Sequence, residues 1–321
     1  MDIDRTASEL VRHRNIAAIA QSVERIHGKD EAPCSIQGGS TTFKDCLILV
    51  SNQAVLPDLI FVLGAQDPEM RAIEEVLNRA GLEFAYAAID HVRCSAANAY
   101  RADSLVRVGK NGRSSPVLAA PNRPLAFVES RLSGRARQLH VDHHHEGDPG
   151  FSCEPARYLE GSSLGQVLTL LNERPSDLQR LLCAADHCLT AAYQGDCPDV
   201  DPGELLFMRA AWRALLGQES LDTKIGHVLS AADRIRAVFD PALGEATFLD
   251  PTQVPAELAE GAAYAGLPVR YRILSMSGGH LKECIKGASF NRIEAFINHH
   301  RNEGRRAYGN PYRGYAGAYL G

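Results

Sequence analysis

Apolar residues form continuous runs in the first half of this chain and follow a helical spacing in much of the second half. The segments at residues 46–52, 56–65 and 82–89 are largely apolar, and those at 124–130 and 137–145 change from apolar residues to acids or histidines. Continuous apolar runs are typical of strands buried on both faces of a parallel sheet. The pattern therefore predicts an α/β fold.

Helices are predicted where apolar residues recur every three or four positions, at residues 10–26, 68–81, 162–173, 176–195 and 204–220. Pro68 favours the start of the second of these helices, and Gly81 favours its end. Turn-like composition near residue 240 predicts a boundary between a domain at residues 1–240 and a smaller one at 241–321. In the smaller domain we expect a strand at 267–276, a loop at 277–280 and a helix at 291–304, followed by an irregular Gly- and Tyr-rich tail.

Polar clusters follow three of the predicted strands. Asp67 and Glu69 come after the strand at 56–65, Glu129 comes after an apolar run, and the segment at 142–145 reads Asp-His-His-His. Because ligands of open α/β sheets bind at the carboxyl ends of the strands, we expect these clusters to share one edge. Carboxylates and imidazoles together suit divalent cations such as Mn²⁺.

Composition narrows the possible partners and the compartment. The formal net charge of −5 and the pI near 6.2 provide no global positive field for long duplex nucleic acid. The eight cysteines are scattered, and the first residues lack the basic start and apolar run of a secretory signal, so we expect reduced thiols in a cytoplasmic protein. No stretch approaches the roughly 20 apolar residues of a membrane span.

Two motifs resemble a known family. The triplet Asp142-His143-His144 after an apolar strand, and Gly278-Gly279-His280 near the end of the chain, are similar to signatures of the DHH phosphoesterases. The similarity extends over about residues 58–300, although only these two motifs match literally. It implies a parallel-sheet DHH-like domain with helices on both faces and a smaller C-terminal α/β domain that contains the Gly-Gly-His motif.

The resemblance also implies a set of metal ligands. In the family, an Asp-x-Asp pair, a single Asp, the triplet and a later helical Asp occur in this order. The corresponding positions here are Asp67, Glu69, Glu129, His143 and Asp186. Leu63 stands where the family has a histidine, four residues before its first Asp. The resemblance therefore implies Mn²⁺ or Mg²⁺ but leaves open whether one ion or two are bound.

The remaining roles follow from the same comparison. Asp142 is expected to orient an imidazole, while His143 and His144 act at the metal and the phosphoryl group. The substrate phosphate is expected to lie near Gly278, Gly279 and His280, and Arg101 is a candidate anion contact. The implied activity is metal-assisted attack of water on a phosphoester of a small nucleotide, cyclic nucleotide or short oligonucleotide.

Two other interpretations stay open. A non-catalytic module could bind a nucleotide or a protein on a DHH-like scaffold, which the Leu63 replacement favours. A zinc hydrolase could instead use the Cys183/His187 and His280/Cys284 pairs. The two residues of each pair are four positions apart, and two such pairs could bind zinc tetrahedrally. The sequence does not indicate an oligomeric state.

Overall fold

A computed structural model describes residues 58–109, 113–117, 123–134, 139–275 and 279–321. The predicted helix at 10–26, the predicted strand at 46–52 and Gly278 lie outside the described residues. The chain has a mixed α/β architecture with two sheets, one of them largely parallel, which confirms the predicted fold class at this level.

The chain divides into two compact units. The first unit contains the described residues up to Cys188 together with Cys197–Val200, and the second contains Leu189–Asp196 and Asp201–Gly321. This division lies earlier in the chain than the expected boundary at residue 240. The physical reason is that the helices between residues 202 and 238 pack with each other and with a helix of the second unit.

The first unit is built on a sheet with the order β5-β4-β2-β1-β6-β7. Its strands are β1 (Ile60–Leu63), β2 (Glu83–Ile89), β3 (Val92–Arg93), β4 (Ser104–Val108), β5 (Ser114–Pro116), β6 (Leu125–Val128) and β7 (Leu139–Val141). Strands β2, β1, β6 and β7 are mutually parallel, as predicted. In contrast, β3 and β4 pair with β2 in the antiparallel direction, and β5 pairs likewise with β4, so the sheet is mixed.

The apolar runs form strands because both of their faces are covered. Every residue of β1, β6 and β7 is buried. On one face, alternate residues of neighbouring strands, among them Val62, Ala85 and Phe127, form a single apolar cluster. Central parallel strands of this kind are stabilised by side-chain burial worth roughly 1.5–3 kcal/mol for each large residue.

Two of the four described helices of the first unit begin at residues whose side chains cap them. These four helices are α1 (Pro68–Arg79), α2 (Tyr158–Gly161), α3 (Ser163–Leu170) and α4 (Asp177–Tyr193), and α4 continues from Leu189 into the second unit. The Asp67 carboxylate accepts a hydrogen bond from the N–H of Met70 at 2.7 Å, and Ser162 similarly caps α3. Helix α4 is kinked at Cys188, whose φ and ψ are −149° and 52°.

The second unit combines helices with a second sheet. Its helices are α5 (Pro202–Gly217), α6 (Leu221–Val238), α7 (Leu258–Ala265) and α8 (Phe290–Asn302). Its sheet contains β8 (Phe239–Asp240), β9 (Glu245–Phe248), β10 (Val269–Leu274), β11 (Leu281–Lys286), β12 (Ala307–Asn310) and β13 (Tyr315–Tyr319) in the order β12-β13-β11-β10-β9-β8. The prediction of an irregular C-terminal tail is therefore wrong, because β13 pairs with β11 and β12 pairs with β13.

A buried ion pair network connects α5 and α7. Glu260 is 3% exposed and accepts hydrogen bonds from Arg209 at 2.7 and 2.9 Å and from the Tyr193 hydroxyl at 2.7 Å. Burial alone would raise the pKa of Glu260, but Arg209, Tyr193 and Arg213 lower it to about 2. The carboxylate is therefore ionised in the folded protein at neutral pH.

Within the described part of the chain, none of the helices combines the length and the apolar composition that crossing a lipid bilayer requires.

Candidate metal centre

The site begins at the shared carboxyl edge of β1, β6 and β7. The N–H of Gly64 donates to the carbonyl of Val128 at 3.0 Å, and the N–H of Glu129 donates to the carbonyl of Val141 at 3.0 Å. A Cβ at position 64 would lie 2.3 Å from the carbonyl oxygen of Glu129, so only glycine fits this crossing. Glu129 itself has a left-handed backbone with φ +46°, a conformation that turns the chain away from the sheet.

Four ionisable side chains converge at this edge: Glu69 from the first turn of α1, Glu129 after β6, His143 after β7 and Asp186 from α4. One ligand atom of each lies within 4.8 Å of the other three. His143 Nε2 is 2.8 Å from Asp186 Oδ2 and 3.5 Å from Glu129 Oε1. The sequence predicted all four as metal ligands, and the folded chain brings them together.

The start of α3 holds two of these carboxylates. The Ser163 hydroxyl donates to Glu129 Oε1 at 2.8 Å, and the main-chain N–H of Leu164 donates to Glu69 Oε1 at 2.9 Å. The N-terminus of a helix carries a partial positive charge, which favours carboxylates there. The Ser-Ser start of this helix is visible in the sequence, but its contacts depend on the folded chain.

Burial and mutual repulsion dominate the electrostatics of the group. Burial raises the pKa of Glu69 well above its usual value, and the nearby carboxylates of Asp186 and Glu129 raise it further. Burial alone would lower the pKa of His143, but its hydrogen bonds to Asp186 and Glu129 raise it to about 10. Among the described residues, no lysine or arginine forms an ion pair with Glu69 or Glu129.

The donor set fits a hard divalent cation. Glu69 Oε2 is buried and has no hydrogen-bond partner in the described part of the chain. Three carboxylates and one imidazole provide the oxygen-rich ligand set that Mn²⁺ and Mg²⁺ accept. A cation held by Glu69, Glu129, His143 and Asp186 would replace the protons that Glu69 and His143 otherwise retain and would satisfy the free oxygen of Glu69.

Asp142 lies beside this group rather than in it. The carboxylate is fully buried and accepts hydrogen bonds from the Tyr100 hydroxyl at 2.9 Å and from the His143 main-chain N–H at 2.7 Å. His144 Nδ1 lies 2.9 Å from its Oδ1. Burial would raise the pKa of Asp142, but hydrogen bonds from His140 and His144 lower it well below its usual range. The predicted role of orienting an imidazole is consistent with these contacts to His144.

A second polar cluster surrounds Asp148. His140 Nδ1 is 3.5 Å from Asp148 Oδ1, and its Nε2 is 3.3 Å from Asp142 Oδ2. The main-chain N–H of His145 donates to Asp148 Oδ2 at 2.7 Å. Neither His140 nor His145 joins the four-residue group, so neither supplies an additional imidazole to it. Neither Asp148 nor Tyr100 was predicted from the sequence as a member of this network.

Asp67, which was also predicted as a ligand, lies outside the group of four converging side chains. Its carboxylate caps α1 through Met70 and does not belong to the group within 4.8 Å. Its pKa is nevertheless raised well above the usual value by burial and by the charges of Glu129 and Asp186, which shows that it lies in the same electrostatic environment.

The predicted substrate contacts belong to different units of the chain. Arg101 is exposed in a 3-10 turn, and its guanidinium donates to the carbonyl of Ala97 at 3.1 Å. Gly279 and His280 belong to the second unit, where His280 Nδ1 lies 3.2 Å from the carbonyl oxygen of Gly321.

The Cys183/His187 and His280/Cys284 pairs belong to different units of the chain. Among the described residues, no cysteine belongs to a group of three or more side chains with ligand atoms close enough for a metal. His187 instead lies 3.1 Å from His143, measured between their Nδ1 atoms, and its Nε2 lies 2.9 Å from the carbonyl oxygen of Cys153.

No protein-family profile matches this chain, and no curated protein matches it. The DHH resemblance therefore stays a prediction from the two motifs.

Proposed function

We propose that this protein is a metal-dependent phosphoesterase that acts on a small nucleotide, a cyclic nucleotide or a short oligonucleotide. The observation that carries the proposal is the buried group of Glu69, Glu129, His143 and Asp186 at the sheet edge. In a protein without an ion, these carboxylates repel each other and one oxygen of Glu69 lacks a partner. Such a group favours a divalent cation.

The four residues of this group would hold one Mn²⁺ or Mg²⁺. A bound ion of this kind lowers the pKa of water and stabilises negative charge that develops on phosphoryl oxygens. Leu63, which stands where the DHH family has a histidine, is fully buried in β1 and offers no ligand atom. We therefore favour one ion over two in this centre, with the Asp67 carboxylate nearby.

His144 is the residue that we assign to proton transfer. Its Nδ1 is held by Asp142, which leaves Nε2 to meet a reacting group, and its side chain is 24% exposed. Because hydrogen bonds keep Asp142 ionised, this carboxylate fixes the orientation of the ring and favours the tautomer with the proton on Nδ1. A histidine in this role typically contributes about 10²–10⁴-fold to the rate.

The proposed substrate is small and anionic. The net charge of −5 disfavours long polyanions, whose binding depends on many cationic contacts. Contacts to the phosphate and to the rest of the substrate are proposed for Arg101, Gly278, Gly279 and His280. Glycine allows a phosphate to approach the backbone closely.

The test uses the full chain, stripped of metal and then supplied with Mn²⁺ or Mg²⁺. Hydrolysis of bis-p-nitrophenyl phosphate, p-nitrophenyl phosphate and short oligonucleotides is measured with and without each ion. We expect turnover only with metal, a loss of bound metal and turnover in His143→Ala, and a loss of about 10²-fold or more in kcat with retained metal in His144→Ala. His227→Ala, which changes a 42% exposed side chain on α6 outside the candidate metal groups of the described residues, is the matched control.

Three outcomes separate the alternatives. Metal binding with turnover supports the phosphoesterase. Nucleotide binding without metal or turnover supports the non-catalytic module, and zinc content without phosphoesterase activity supports the zinc hydrolase. Full activity in His143→Ala would contradict the assignment of the centre.

A further inference from the structure

Two cysteine side chains of the first unit are in direct contact. Cys188 Sγ and Cys197 Sγ are 3.3 Å apart, and neither residue is in a disulfide bond. A disulfide bond is about 2.0 Å long, so the two sulfur atoms need to approach by only about 1.3 Å to form one. Neither residue belongs to the group of proposed metal ligands.

Local backbone geometry creates this contact. The two cysteines are nine positions apart, which in a continuous helix would separate them by about 13.5 Å along the axis. Cys188 instead has non-helical φ and ψ inside α4, and the chain leaves the first unit after Cys188 and returns to it at Cys197. The two cysteines in contact therefore flank the segment Leu189–Asp196 on either side.

The two thiols differ in access. Cys188 is half-buried, whereas Cys197 is only 2% exposed. A soluble reagent can therefore meet Cys188 first, and Cys197 is held in place as the second thiol. Cys183, one and a half turns earlier on α4, is fully buried and is sheltered from such a reagent.

We propose that Cys188 and Cys197 form a reversible dithiol–disulfide site that exchanges with small soluble disulfides of the oxidised-glutathione class. Deprotonated Cys188 attacks one sulfur of the reagent, forming a mixed disulfide and releasing one reagent thiol. Deprotonated Cys197 then attacks Cys188 Sγ, which breaks the mixed disulfide and releases the second reagent thiol. The protein loses two electrons and two protons, and the reagent disulfide is reduced to two thiols.

The experiment maps disulfides in the folded full chain after incubation with oxidised glutathione, without added metal. Trypsin would leave Cys183, Cys188 and Cys197 in one peptide, because no lysine or arginine lies between Arg180 and Arg209. Chymotrypsin cleaves after Tyr193 and so separates the two cysteines of the pair. We expect their peptides to stay joined until a reductant is added, with a mass about 2 Da below that of the two free-thiol peptides together.

Single substitutions test the order of the steps. Cys197→Ser should trap one glutathione on Cys188, with a mass increase of about 305 Da, and Cys188→Ser should leave Cys197 as a free thiol. Cys153→Ser, which removes a cysteine of intermediate exposure, is the matched control and should form the same joined peptides as the wild type.

The wild-type map alone can overturn the proposal, so it does not depend on the variants folding. Free thiols at both positions would overturn it. So would a stable glutathione adduct on Cys188 without the internal bond, or a bond from Cys188 to Cys183.

Discussion

Replacing Glu69 with glutamine should make the metal-free protein more stable and weaken its binding of Mn²⁺. In the metal-free protein the pKa of Glu69 is raised above its unfolded value, so its ionisation destabilises the fold at every pH above the unfolded pKa. Glutamine has the same shape without the charge. Its carbonyl oxygen can keep the hydrogen bond from Leu164, and its amide can donate to the carboxylates of Glu129 or Asp186.

The expected size follows from the buried oxygen. A buried polar atom without a partner costs about 1–3 kcal/mol, so Glu69→Gln should stabilise the metal-free protein by about that amount. This corresponds to an increase of about 2–12 °C in Tm. Mn²⁺ at one hundred times its Kd should stabilise the wild type by about 2.7 kcal/mol, and Glu69→Gln should lose most of this gain.

Calorimetry in EDTA and in MnCl₂ measures both effects. The order of stability should reverse, with the variant more stable without metal and the wild type more stable with it. Glu75→Gln, an exposed change on the same helix, is the control and should alter neither value. A less stable metal-free variant that retains the full Mn²⁺ shift would refute the explanation based on charge repulsion.

Three further predictions concern other parts of the chain. Gly64→Ala should destabilise the fold by more than about 2 kcal/mol in urea unfolding, because its Cβ would lie 2.3 Å from a backbone oxygen. Gly226→Ala is the control and should not destabilise the fold, since a Cβ there has open space around it. Equal effects of the two substitutions would contradict the close packing at Gly64. Tyr100→Phe should cost about 1.5–3 kcal/mol by removing a hydrogen bond to the ionised Asp142, and unchanged unfolding would contradict this value. Because its pKa is depressed, ionised Glu260 stabilises the fold fully above pH 4.5, and the free energy of unfolding should fall by about 2 kcal/mol from this source between pH 6 and pH 3. Glu260→Gln should lack this part of the acid dependence. A urea midpoint that varies with pH in the same way in the variant and the wild type would contradict this prediction.

The sequence was most informative where strands run into polar residues. Glu129 and His143 could be predicted at one edge because two parallel strands end immediately before them. Asp186 lies on a helix far along the chain, and its place in the group came from the family resemblance rather than from periodicity. The helical spacing of α1 and α3 was also sufficient to predict their positions.

Three features of the structure could not be predicted from the sequence, because they depend on contacts made in the folded chain. The tail looked irregular because its glycines and tyrosines lack a strand pattern, yet Tyr319 pairs with Lys282 across β13 and β11. Asp67 was predicted as a ligand from its position, and the structure adds a local partner at the helix start, the N–H of Met70. The contact between Cys188 and Cys197 joins a residue at the kink in α4 to one beyond the end of that helix at Tyr193, and residue spacing reveals neither feature.

The position of β6 limits how this chain can vary in length. Its residues are paired on both sides, with Ile60 opposite Leu125 and Val128 opposite Val141. Since side chains alternate between the faces of a strand, inserting one residue within β6 would turn Glu129 away from its partners or break both pairings. Insertions and deletions among natural variants should therefore accumulate in connections remote from this strand, while the spacing through β6 stays constant.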